Sequence, residues 1–312
     1  MNILVICPAG VATGGTEALH EFASNMNKLE GVNARLWYWN SSSDQEPMPE
    51  EFRRYHCGFT MKLPEDYDGV IVFPEIYANY ATNFKHLVRA IWWLGIDAYA
   101  NWTPEADQGK FLEDESIIHI AQSQYAYNFL WALGVRNLYR CGDMLNADFY
   151  VDYGEEERSD VVLYNPTKAT PFMHRIIDAC PDITFKPIRD MTRAEVIDAM
   201  RHSKLYVDFG EFPGRERMPR EACLCGCCLI TSKVGAAAYA ADFGHDYKYD
   251  MKDAHIWAIT RKIREVLGNF DRCRRDFLPF MLQLRLERKQ IKYEYEVLAG
   301  VFDEVLSNHS RA

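Results

Sequence analysis

The chain has 312 residues, of which 48% are hydrophobic and 26% charged, a balance that sets aside disordered and fibrous classes. A formal net charge of -10 argues against a general nucleic-acid binder, which needs clustered Lys and Arg on an accessible face. The local exception is Arg261 to Lys289, with nine basic and four acidic residues, read as a solvated helix face with contact to anionic lipid or phosphate as the alternative.

"NILVICP" is a short apolar run ended by Pro8, as a buried parallel strand should be, and not a leader, because no Lys or Arg precedes it. The loop "PAGVATGGTE" follows. Its Gly14 and Gly15 permit positive φ, and free N–H groups at a helix start favour an anion or a sugar hydroxyl. The loop lacks the spacing of a dinucleotide fingerprint or a nucleotide P-loop, and a plain tight turn is the competing reading. Leu19, Phe22, Ala23, Met26 and Leu29 then mark one helical stripe ended by Gly31. "NARLWYW" and "DGVIVFPE" read as strands, and "NYATNFKHLVRAIWWLG" and "QSQYAYNFLWALG" as helices. "AIWWLGIDAYA" contains Asp97 and is shorter than the roughly 18–20 residues of a membrane span. The pair Asp66 and Asp68 precedes the strand "VIVF" and therefore reads as a solvated turn.

The polar stretch Val151 to Asp160 marks a boundary between an N-terminal domain, 1–150, and a C-terminal domain, 151–312, whose last helices return to the first. After it, "VVLYNPTK" is a strand with Lys168 directly beyond its end, where a lysine can hold a phosphate. "HRIIDAC" is a helix, "ITFKPI" a strand, and Thr192 with Glu195 is a capping box. "KLYVDFG" and "CCLITS" are strands, and the remainder from Ala254 onward is largely helical. The alternation predicts an α/β chain of two Rossmann-like, doubly wound domains facing a cleft, with ligands beyond the carboxyl ends of the strands.

"FGEFPGRERMPREACLCGCC" concentrates the chemistry. Pro219 and Gly226 bracket a short helix. Arg215, Arg217 and Arg220 repel one another unless an anion lies between them, which Glu211, Glu216 and Glu221 could supply internally or a diphosphate could supply as ligand. The spacing C-x-C-x-C-C does not converge on a metal, so the cysteines read as small packing residues. Nine cysteines without a secretory signal are expected as reduced thiols in the cytoplasm, where the sequons at Asn40, Asn101 and Asn308 have no consequence.

With these residues in place, the chain resembles a glycosyltransferase of the two-Rossmann (GT-B) fold, specifically the retaining family 4 group of bacterial polysaccharide synthesis. "GGTEALHEFA" is similar to that group's Gly-Gly-x-Glu loop and first helix. "EACLCGCCLITSKVG" is similar to its E-A-M-A-C-G-x-P-V-I segment, with Glu221 on the second glutamate, Gly226 on the glycine and Gly235 on the following loop glycine. The first glutamate of that pattern falls on Pro213, so the resemblance leaves Glu211 or Glu216 to replace it. It implies transfer of a sugar from a nucleotide-sugar donor to a saccharide or lipid-linked acceptor, with retention and neither metal nor cofactor. In that reading Lys168 and Arg215, Arg217 or Arg220 hold the diphosphate and Glu221 the ribose. Gly14, Gly15 and Thr16 stand near the reacting centre, in a cytoplasmic protein, at the inner membrane face if it touches lipid. A nucleotide-sugar 2-epimerase and a non-catalytic glycan-binding member are the alternatives, and a dehydrogenase would lack its glycine fingerprint.

Overall fold

The computed structural model describes residues 1–39, 46–151 and 156–309; the Asn40 sequon and residues 152–155 of the polar stretch lie outside them. The chain forms two units, Met1–Met144 with Lys289–Ala312, and Leu145–Arg288.

In the first unit the described residues form one parallel sheet: β1 (Asn2–Cys7), β2 (Asn33–Tyr38), β3 (Phe59–Thr60), β4 (Val70–Pro74), β5 (Val88–Trp93), β6 (Ile118–Ala121) and β7 (Leu138–Arg140). The spatial order is β3-β2-β1-β4-β5-β6-β7, so the direction of winding reverses between β1 and β4. Successive side chains go to opposite faces. Ile3, Val5, Val70, Val72, Ala90 and Trp92 lie in one core, while Leu4, Ile6, Ile71, Phe73, Ile91 and Trp93 lie in the other. Helix α1 (Gly14–Met26) covers the first core with Ala18, Leu19, Phe22, Ala23 and Met26. Two shorter helices follow, α2 (Ile96–Trp102) and α3 (Gln124–Ala132).

One expectation from the sequence is corrected. "NYATNFKHLVRAIWWLG" is not a helix: its start belongs to a 3-10 turn, Glu75–Asn83, and Val88–Trp93 is strand β5. All six residues of β5 are buried, Arg89 among them through its pair with Asp114 at 2.6 Å, so no alternation of apolar and polar positions betrays the strand. The indole N–H groups find partners across the sheet, Trp92 donating to the Cys141 carbonyl at 2.9 Å and Trp93 to His119 Nδ1 at 3.0 Å.

The second unit carries β8 (Ser159–Tyr164), β9 (Thr184–Pro187), β10 (Ser203–Asp208), β11 (Cys228–Ser232) and β12 (Lys248–Tyr249). They pair in parallel in the order β12-β11-β10-β8-β9, which reverses between β8 and β10. The helices are α4 (Pro171–Asp178), α5 (Arg193–Arg201), α6 (Arg217–Leu224), α7 (Ile256–Gly268), α8 (Phe270–Arg275) and α9 (Leu278–His309). Thr192 and Glu195 form the expected capping box on α5. Pro219 sits in the first turn of α6, and Gly226 follows its end at φ +90°, a left-handed conformation that suits glycine.

From Lys289 onward, α9 belongs to the first unit. Ile291, Tyr295, Leu298 and Phe302 recur at helical spacing and are buried in the core that also holds Phe22 and Trp92. No helix among the described residues is long and apolar enough to cross a membrane. Phe302→Ala should therefore lower stability by about 3–5 kcal/mol, whereas Leu282→Ala, at a position 57% exposed, should stay within about 0.5 kcal/mol; chemical denaturation of both variants checks the difference.

Candidate functional site

In the second unit, the reversal between β8 and β10 places the loops at their carboxyl ends where such sheets bind ligands. After β8, Asn165 accepts a hydrogen bond from the Thr167 N–H at 3.0 Å and opens a 3-10 turn that ends at Lys168. Lys168 Nζ is ion-paired to the Glu216 carboxylate, 48 residues away, with side chains 42% and 17% exposed. Strand β10 ends at Asp208, whose carboxylate accepts from the Gly210 N–H at 2.9 Å and the Tyr206 hydroxyl at 3.2 Å. A Cβ on Gly210 would lie 3.0 Å from the Asp208 carboxylate and 3.2 Å from the Lys168 carbonyl, so the two loops touch at a residue without a side chain.

Asp208 went unnoticed in the sequence, although a carboxylate closing the apolar run "KLYVD" before a glycine was the available signal. Burial pushes its pKa up to about 6; the Gly210 N–H opposes this, the Glu216 charge adds to it and Lys168 draws it back.

The loop entering α6 sorts its three arginines differently. Arg215 is 7% exposed and forks onto Glu287, at 2.8 and 2.7 Å, beside Asp242 at 3.7 Å. Arg220 is 1% exposed and donates to the Arg215 carbonyl at 2.6 Å and the Glu216 carbonyl at 3.0 Å, so it staples the loop from beneath. Arg217, first residue of α6, stands 3.8 Å from Glu221 one turn on. Glu211 is exposed. Gly235 sits at φ +50°, and a Cβ there would come 2.0 Å from the Phe212 carbonyl, which accepts from the Ala236 N–H at 2.8 Å. Gly235 thus lets its loop close onto the residue beside Pro213. The structure brings Lys168, Glu216 and Asp208 together, puts Arg217 with Glu221, and commits Arg215 and Arg220 to holding the loop.

In the first unit, the loop after β1 leads into α1. Thr13 caps the helix and its hydroxyl accepts from the Thr16 N–H, while the Thr16 hydroxyl accepts from the Thr13 N–H at 2.9 Å. Gly14 and Gly15 are helical and exposed, not left-handed as the sequence suggested; the left-handed glycine of this loop is Gly10, at φ +67°. With no side chain, the exposed Gly14 and Gly15 leave the first two backbone N–H groups of α1 uncovered, while the Thr16 N–H is taken by Thr13. At the end of β4, Glu75 is 6% exposed, accepts from the Leu94 N–H at 3.1 Å, and is pushed up to about 7 by burial.

Eight cysteines are buried and Cys225 is half-buried. Cys227 donates to the Met200 carbonyl at 2.9 Å, and burial pushes its thiol up to about 11. These are packing residues. Among the described residues no group of three His, Cys, Asp or Glu side chains is arranged to hold a metal ion. Asp66 and Asp68 are exposed at the amino end of β4, away from the carboxyl ends of the sheet.

Two stability measurements follow from these environments. Arg220→Ala strands the buried Arg215 carbonyl and the part-buried Glu216 carbonyl and should lower stability by about 2–4 kcal/mol, whereas Lys168→Ala removes a partly solvated pair and should cost no more than about 1 kcal/mol, by denaturant titration. Because the Asp208 pKa rises from 3.8 unfolded to about 6 folded, its contribution is full below pH 3.8 and is lost as pH climbs to about 6. Asp208→Asn should thus stabilise at pH 7, by up to about 3 kcal/mol, with the gain vanishing near pH 4 in pH-dependent melts.

No protein-family model matches the chain, and no curated protein does. Among solved structures it is similar to Anabaena HepE in complex with UDP and glucose, at 12% identity and TM-score 0.66, covering 97% of this chain and 100% of HepE. It is similar to sucrose-phosphate synthase from Thermosynechococcus elongatus at 11% identity and TM-score 0.68, covering 99% and 100%. It is also similar to WaaG, a glycosyltransferase involved in lipopolysaccharide biosynthesis, at 10% identity and TM-score 0.59, covering 97% and 99%. At these identities the likeness carries the fold: two parallel α/β units of the kind found in GT-B glycosyltransferases.

Proposed function

We propose that the chain is a glycosyltransferase that moves a sugar from a nucleotide-sugar donor to a saccharide or lipid-linked acceptor, with retention and without a metal. The observation that carries this reading is the cluster of Lys168, Glu216 and Asp208 at the strand reversal of the second unit, in a fold shared with a UDP-binding protein. Lys168 is exposed enough to exchange its carboxylate for a phosphate. Arg217 and the first N–H groups of α6 add positive potential at the same carboxyl edge, and Glu221 offers a carboxylate to ribose hydroxyls.

In this reading the bond between the sugar C1 and the diphosphate oxygen breaks and a bond from C1 to the acceptor oxygen forms on the same face. The acceptor proton passes to the departing diphosphate. Lys168 and Arg217 stabilise the negative charge that develops on the leaving group. Glu216, set free from Lys168, takes the role left vacant at Pro213 and steadies the positive charge on the sugar; Glu211 is the second candidate for that role. Arg215 and Arg220 keep the loop in place. The first unit takes the acceptor, with the exposed Gly14 and Gly15 at its own reversal point and Thr16 holding the loop that presents them. The reaction belongs to the cytoplasm, at the inner membrane face if the acceptor is lipid-linked.

Calorimetry with UDP and UDP-glucose tests the donor site. Lys168→Ala should weaken binding by about 1–3 kcal/mol, and unchanged affinity would remove Lys168 from the site. Glu216→Gln separates binding from chemistry: it should keep or raise UDP affinity, because Lys168 loses its competitor, while transfer slows by about tenfold or more. Equal loss on Glu211→Gln, with Glu216→Gln silent, would give the role to Glu211.

A further inference from the structure

A hollow of about 590 Å³ opens in the second unit, lined by Arg158, Lys204, Arg272, Arg274 and Arg275 against Glu156 and Asp271. Its volume suits a small ligand. Arg158 immediately precedes β8 and Lys204 is the second residue of β10, so the hollow lies at the amino ends of the strands. Lys168 and Asp208 stand at their carboxyl ends, roughly 20 Å away along strands of six residues.

The charges at this end are not balanced in the way they are around Lys168. Lys204 is paired with Asp160, Arg272 with Glu265 at 3.1 Å, and Glu156 with Arg201. Among the described residues Arg158 is held by no carboxylate: it donates to the carbonyl oxygens of Ser203 at 2.7 Å, Met200 at 3.1 Å and Cys225 and to the Cys227 sulfur at 4.0 Å, with its guanidinium 5.5 Å from the Phe270 ring centre. Among the described residues Arg275 donates only to the Asp271 carbonyl, at 3.3 Å. Arg274 has no hydrogen bond or ion pair from its side chain among the described residues, and its Nε is shielded from solvent. A Cβ built on Gly226 would lie 2.6 Å from Arg158 Nη2 and 3.5 Å from Arg274 Nη2, so these two guanidinium groups converge on one point. Three arginines without a carboxylate partner among the described residues stand around one hollow, two of them converging, and form a ready receptor for a tetrahedral dianion.

We propose that this hollow is a second anion site, separate from the donor site, that binds the phosphate group of a small molecule or of a lipid headgroup through Arg274, Arg275 and Arg158. Arg158 also ties three strand-leading segments together, so the bound phosphate would be read directly by the amino edge of the sheet.

The test is a calorimetric titration of the whole chain with inorganic pyrophosphate, in the native protein, in Lys168→Ala, and in Arg274→Gln with Arg275→Gln. Among the described residues Arg274 makes no side-chain hydrogen bond and Arg275 makes one, to the Asp271 carbonyl within α8, and a melting curve checks the fold of the double variant. Removing one of two converging cations should leave the melting temperature unchanged or higher. The expected result is that Lys168→Ala retains a pyrophosphate site that the double variant loses or holds about tenfold more weakly. Sedimentation with phosphatidylcholine vesicles, with and without phosphatidylglycerol, assigns the source. Binding that needs phosphatidylglycerol and the two arginines identifies a lipid headgroup; pyrophosphate binding alone identifies a soluble phosphate. Pyrophosphate and vesicle binding that are the same in the native protein and the double variant, or absent from both, would overturn the proposal.

Discussion

The ion pair between Lys168 and Glu216 joins the loop after β8 to the loop before α6, and the second unit's candidate site is organised around it. A sheet wound outward from β8 and β10 leaves its carboxyl edge open at that point, and a cluster of like charges there would have to be dispersed. The chain instead matches each cation to an oxygen. Arg215 takes Glu287, Arg220 takes two backbone carbonyls, Arg217 takes Glu221 and Lys168 takes Glu216. Only the last of these pairs has a strongly exposed member, and it is therefore the one a soluble dianion can enter at small cost.

Asp208 sets the electrostatic floor of that arrangement. Its carboxylate is buried below Lys168, next to the Glu216 charge, and it fixes Gly210, whose bare Cα lets the two loops meet. A second acidic group so close makes Lys168 more valuable as a cation, and makes any anion that displaces Glu216 depend on Lys168 remaining charged.

The order of strands and helices was legible where an apolar run was short and bounded by Pro, Gly or a capping residue, as in "NILVICP", "KLYVDFG" and the helix opened by Thr192. It failed at Val88–Trp93, where burial on both faces erases the two-residue alternation and bulky aromatics fit either element. The importance of the α6 loop was visible as a charge cluster, but its division of labour was not. Arg215 finds Glu287 at a distance of 72 residues, and no local pattern announces a pairing of that range. Likewise Gly14 and Gly15 drew attention for conformational freedom that the helix does not use; what they contribute is an exposed pair of positions without side chains at the helix start. Gly226 and Gly235, which do take left-handed conformations, face respectively the converging Arg158 and Arg274 and the Phe212 carbonyl, contacts made only in the folded chain.

The most direct test is the crystal structure of this chain with UDP bound. The diphosphate should lie within hydrogen-bond reach of Lys168 Nζ and the first turn of α6, with Glu216 parted from Lys168. A diphosphate held elsewhere, with the Lys168–Glu216 pair intact, would contradict the assignment of the donor site.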